Sequence, residues 1–133
     1  MPSFRPSTFL RHALLADAVA SGATALLLII GAGVLDGLLG LPVALMRGAG
    51  LILIPYVAFV AWLGTRERLT GSAVRAVIIL NAIWAAASLL VLVGGAVAPT
   101  MLGYAFVVLQ ALVVALFGEL QHVGLRRPAM EPA

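Results

Sequence analysis

The 133-residue chain has no cysteine. That excludes disulfides, thiol nucleophiles, thiolate metal sites and membrane thiol oxidoreductase chemistry. Charge is nearly as scarce, at 10% of residues. Positions 76–118 form a run of 43 residues without a single Asp, Glu, Lys, Arg or His. A helix crossing the hydrocarbon core takes about 20 apolar residues, so this run holds two such helices, with Gly94, Gly95 and Pro99 marking the turn between them. Positions 18–35 and 48–65, each 18 residues long and free of charge, supply two more. Catalytic signatures are missing as well. There is no Walker loop, zinc motif, nucleophile elbow or triad spacing, and Gly31-Ala32-Gly33 lacks the strand and helix that a dinucleotide fingerprint requires. The chain therefore reads as a non-enzyme with no cofactor.

What is present is apolar: 63% of residues are hydrophobic and the mean hydropathy is +1.17, against roughly half apolar in a soluble domain. Four spans of about 20 residues leave no room for a second core. Residues 1–133 are thus expected to form a single all-α membrane domain, a four-helix transmembrane bundle with spans at about 13–35, 43–64, 73–93 and 100–120. The first span begins like a secretory signal, but its apolar stretch exceeds the 7–15 residues of a signal core and Asp17 interrupts it, so it is read as retained. Pro42 suits the first position of the second helix. Pro55 removes a hydrogen bond to the Leu51 carbonyl and is tolerated as membrane helices tolerate prolines. Residues 65–72 and 94–100 are turns, and 129–133 form a short tail expected to be disordered.

The net charge of +3 matters less than its placement. All eight basic residues are arginine: Arg5, Arg11, Arg66, Arg68, Arg75, Arg126 and Arg127 fall on one side of the four spans, and only Arg47 on the other. This bias places both termini and the middle connection in the cytoplasm, and it explains the arginines without nucleic acid as a partner. Arginine and alanine usage of this kind points to a GC-rich bacterial genome, hence to a multi-pass protein of the bacterial inner membrane.

Small residues recur every four positions at Ala16, Ala20 and Thr24, at Gly33 and Gly37, at Ala82 and Ala86, and at Ala111 and Ala115. Membrane helices associate through close approach at such residues, so these faces are expected to point inward. The polar residues inside the spans are the candidate site. Asp17, with Ser21 and Thr24 on its face, is either a proton- or cation-handling carboxylate or a group hydrated near the headgroups or held by Arg11, Arg75 or His12. Asn81 and Gln110 are candidate partners on the third and fourth spans, with Ser88 and Trp84 near Asn81. Glu119 and His122 have the Glu-x-x-His spacing of di-iron bundles, but those sites need a second such pair and two further carboxylates. Glu119 is also nine residues from Gln110, about 180° around a helix of 3.6 residues per turn, so no metal site is assigned. Asp36 and Arg47 are expected to neutralise each other at the opposite surface.

Asp17 with Ser21-Gly22, Asn81 with Trp84, Ala98-Pro99-Thr100 with Gly103, and Gln110 with Glu119-Leu120-Gln121 give the chain a pattern that resembles uncharacterised small four-span bacterial inner-membrane proteins. The resemblance covers most of the chain and implies no activity. Small multidrug-resistance transporters are similar in size, span count and an early acidic residue. Their dual topology needs a weak arginine/lysine bias, however, and their Gly-rich third span has no counterpart at 74–93. The expected function is a helix-packing accessory or scaffold in the lipid bilayer, as a homo-oligomer or within a larger membrane complex. The competing class is an oligomeric small transporter or channel, carrying a proton-coupled cation or hydrophobic solute by way of Asp17.

Overall fold

The computed structural model describes residues 3–127; the expected tail at 129–133 lies outside them. The described residues form five helices, α1 (Thr8–Ile30), α2 (Ala32–Leu39), α3 (Val43–Thr65), α4 (Gly71–Val93) and α5 (Met101–Arg126). All except α2 are long and apolar enough to cross a membrane. The protein is an all-α membrane bundle, with one two-stranded patch in which β1 (Ser3–Phe4) pairs antiparallel with β2 (Leu69–Thr70). Three of the four long helices begin at a hydroxyl cap. Ser7, Thr70 and Thr100 are N-caps whose hydroxyl oxygens accept from the backbone N–H groups of Leu10, Ala73 and Gly103, satisfying donors that the first helical turn leaves unpaired. Pro42, at the N-cap of α3, leads in without such a bond.

Two helices differ from their expected spans, the first at both ends and the fourth at its last turn. The first helix starts at Thr8, earlier than 13, and breaks at Gly31 rather than running to 35. Two glycines within 31–33 give the helix its weakest hold, and the chain re-enters as the short helix α2. The fourth runs on past 120 to Arg126, which brings Gln121 into helical phase.

The long helices pack as two pairs, α1 along α3 and α4 along α5, joined mainly where α1 meets α5. Although consecutive in sequence, α3 and α4 make no extended contact. At the end carrying both termini, Leu10, Leu14, Val60, Leu63, Val74 and Val77 form one apolar core. At the other end, Leu28, Ala32, Leu39, Leu41, Met46 and Val107 form a second. There α2 is tied to the start of α5: the Thr100 N–H donates to the Leu39 carbonyl (3.0 Å) and the Thr100 hydroxyl to the Leu38 carbonyl (2.7 Å). At the terminal end the Arg11 guanidinium donates to the carbonyls of Gly64 (2.7 Å) and Arg66 (2.9 Å).

The small-residue faces are only partly inward. Ala111 is buried, but Ala16, Gly33, Gly37, Ala82, Ala86 and Ala115 all face outward. Close approach is made elsewhere. A Cβ at Gly50 would stand 2.9 Å from the Ala25 carbonyl oxygen, and one at Gly124 would stand 3.1 Å from the Leu10 Cα. Spacing alone cannot tell which of several small-residue stripes meets a neighbour, because that depends on the rotation of each helix about its axis.

Candidate functional site

Between the two apolar cores lies a polar layer to which every long helix contributes. Asp17 and Ser21 come from α1, Tyr56 from α3, Asn81 from α4 and Gln121 from α5. Asp17 and Gln121 are completely buried, and Asn81 and Ser21 nearly so. The Asp17 carboxyl is the hub. Its Oδ1 accepts from the Ser21 hydroxyl at 2.9 Å. Its Oδ2 accepts from the Tyr56 hydroxyl at 2.6 Å, the Gln121 Nε2 at 2.8 Å and the Asn81 Nδ2 at 3.1 Å. Two more contacts close the ring: the Tyr56 hydroxyl reaches Asn81 Oδ1 at 2.9 Å, and Asn81 Nδ2 donates to Gln121 Oε1 at 2.9 Å. No buried side-chain nitrogen or oxygen among the described residues lacks a partner. A polar group in an apolar interior is tolerated on that condition.

Helical phase explains the convergence. Ser21 lies four residues after Asp17 and shares its face. Gln121 is eleven residues after Gln110, close to three full turns, so both project toward the bundle while Glu119 points away. The phase arithmetic that turns Glu119 outward also selects Gln121, which sequence reasoning left out of the site. Tyr56 was missed for a different cause: a tyrosine beside Pro55 in an apolar helix has no distinguishing pattern until its neighbours are known.

Of the expected site residues, Asp17, Ser21 and Asn81 meet. Gln110 does not join them. Its Oε1 accepts from the Trp84 indole N–H at 2.9 Å and its Nε2 donates to the Val107 carbonyl, forming a separate α4–α5 link. Glu119 and His122 both face outward, and no cluster of three or more His, Asp or Glu able to hold a metal occurs among the described residues. Asp17 is neither hydrated near the headgroups, being completely buried, nor paired with Arg11, Arg75 or His12. Arg11 is engaged with the α3 terminus, Arg75 and His12 are exposed, and every donor to Asp17 is neutral. Arg47 donates from Nε to the Ile29 carbonyl at 3.3 Å rather than to Asp36.

Two cavities lie on the α2 side of this layer. A 360 Å³ cleft occupies the gap between α3 and α4, with Thr24, Leu28, Ala49, Trp84, Ser88 and Gln110 among its walls. A 210 Å³ cavity between α1 and α5 shares Thr24, Trp84, Phe106 and Gln110 with it and also touches Ser21. Ser21 is thus where the polar layer meets open space.

Comparison with protein-family models, curated proteins and solved structures finds no match to the chain.

Proposed function

We propose that this small membrane protein is a non-catalytic helix-packing accessory or scaffold, working as a homo-oligomer or inside a larger assembly. The observation that supports it most is that the buried groups of the polar layer satisfy one another. All four long helices spend their buried polar groups on one another, around a carboxyl that no solvent reaches. A layer of this kind sets helix register and rotation, as buried polar groups do in other helical assemblies. Extraction in mild detergent followed by mass measurement of the intact particle tests the reading. It should give species heavier than one 13.7 kDa chain, whereas a lone monomer under every mild condition overturns it.

The proposed setting is the bacterial inner membrane with both termini in the cytoplasm. The arginine bias supports it, since seven of the eight flank the end of the bundle that carries the termini and arginine-rich connections stay cytoplasmic. Cysteine at Ser72, which is exposed beside β2, should be protected from a membrane-impermeant thiol reagent in intact cells. Cysteine at Ala96, exposed in the opposite connection, should react. Ala96 is the better probe than Gly95, whose φ of +77° strains any side chain. Labelling at Ser72 without labelling at Ala96 reverses the orientation.

One observation favours the second reading, proton-coupled transport through Asp17. The layer contains three oxygen–oxygen contacts, Ser21–Asp17, Tyr56–Asp17 and Tyr56–Asn81, but Ser21 and Tyr56 supply only two hydroxyl protons between them. A proton on the carboxyl, passed toward Tyr56 as Tyr56 donates to Asn81, completes the third contact. The layer therefore has a place for one transferable proton, with Ser21 at a cavity wall. In liposomes loaded with a pH-sensitive dye and challenged with cations and hydrophobic amines, transport requires proton flux in the native protein and its loss in Asp17→Asn. Flux that survives the substitution removes Asp17 from the mechanism.

A further inference from the structure

We propose that the cleft between α3 and α4 is a binding site for one hydrocarbon chain of a membrane lipid, which stands in for the contact these two helices do not make on the α2 side. Four observations point to that occupant. First, the walls come from the middle and α2-side halves of all four spanning helices, so the cleft lies at the level of the hydrocarbon core. Second, Ala44, Leu45, Ile52 and Ala87 line it and are also outward-facing. Its mouth is therefore lateral, between α3 and α4, where acyl chains are the surrounding medium.

The third observation is chemical. No charged side chain lines the cleft, and each polar side chain in its wall is already engaged. Thr24 donates to the Ala20 carbonyl, Ser88 to the Trp84 carbonyl, Trp84 to Gln110, and Gln110 to the Val107 carbonyl. Nothing in the wall calls for a polar ligand, and a dry apolar space selects an apolar guest. The fourth is size and position. A cavity of about 150 Å³ already admits benzene, and this one is 360 Å³. Below it the Tyr56–Asn81 contact is the one side-chain hydrogen bond between α3 and α4 among the described residues. The two helices are pinned at that level and held apart above it, which is the shape of a slot for a chain. The inference is independent of the scaffold reading, because lipid occupancy is measured without reference to any partner.

Trp84 is the natural reporter, since it lines the cleft and the only other tryptophan, Trp62, can be removed as Trp62→Phe. The Trp62→Phe protein is reconstituted in vesicles of phosphatidylcholine with or without bromine at mid-chain, because bromine quenches indole emission on contact. Ala49→Phe and Ala44→Leu, made separately, plug the cleft from α3, and Ala115→Leu, outward-facing on α5 and away from the cleft, is the control. Only plug variants that elute as the parent does are scored. The expected result is at least twofold quenching by brominated lipid, substantially relieved by either plug and unaffected by Ala115→Leu. Quenching that neither plug relieves would mean that chains merely pass over the surface. Quenching by acrylamide in place of brominated lipid would mean that the cleft holds water. Either result overturns the proposal.

Discussion

Asp17→Ala should destabilise the bundle by about 2–4 kcal/mol, the sum of an orphaned buried donor and a small unfilled cavity, while Asp17→Asn should stay within about 1 kcal/mol of the native protein, near the net worth of a single hydrogen bond. The difference follows from the bonds around the carboxyl. With alanine, Asn81 keeps Gln121 Oε1 and Tyr56 keeps Asn81 Oδ1. Ser21 can turn its hydroxyl to the backbone carbonyl four residues back, but Gln121 Nε2 loses its acceptor inside a wholly buried site. With asparagine, the amide oxygen takes the place of Oδ2 and keeps Asn81 and Gln121, the new NH₂ donates to Ser21, and the single Tyr56 hydroxyl proton goes either to this oxygen or to Asn81 Oδ1, so the loss is about one hydrogen bond. Reversible unfolding in detergent, by heat or by titration with a denaturing surfactant, reads both. Equal losses from the two substitutions would show that the charge of Asp17, rather than its acceptor geometry, holds the layer together. The near-neutral Asp17→Asn also makes the transport test interpretable, because lost flux then reports lost chemistry and not lost structure.

Gly50→Leu is expected to cost about 1–3 kcal/mol or more by overpacking, whereas Ala86→Leu should stay within about 0.5 kcal/mol, as surface substitutions usually do. A Cβ at Gly50 would meet Ile29 Cγ1 at 2.7 Å and the Ala25 carbonyl oxygen at 2.9 Å. The isoleucine tip can swing away, but the carbonyl belongs to the α1 backbone and moves only if α1 and α3 separate there. Ala86 faces outward on α4, and a larger apolar side chain there finds lipid. Melting of the two variants side by side in detergent decides it. A large loss at Ala86 with little at Gly50 would place the main close contact on α4, against a second copy of the chain.

The four long helices were legible because hydrocarbon demands length and the absence of charge, and both can be counted along a sequence. The break at Gly31 and the continuation to Arg126 were less so, since helix ends depend on what caps them, and the cap that holds α2 comes from Thr100, more than sixty residues away. In the polar layer, Asp17, Ser21 and Asn81 announced themselves as polar residues within apolar runs. Gln110 has the same signature and yet pairs with Trp84, because depth along the helix decides which partners it meets and the sequence states depth only to within a turn or two. Gln121 could have been found from its phase with Gln110 had the fourth helix been read as longer. Tyr56 needed three dimensions.

The hub of the polar layer is also made first. During synthesis Asp17 precedes Tyr56 by 39 residues, Asn81 by 64 and Gln121 by 104. At about 5–20 residues per second, roughly 5–20 s separate the carboxyl from its last partner. For that interval α1 carries an aspartate into the membrane without its final neighbours, at a cost that approaches 2.5–3.5 kcal/mol when such a residue sits at a helix centre. Each later helix, as it is made, supplies one donor to Asp17: Tyr56 from α3, Asn81 from α4 and Gln121 from α5. A chain interrupted before its last helix keeps an incompletely satisfied carboxyl in the bilayer, a local mark by which an unfinished molecule differs from a finished one.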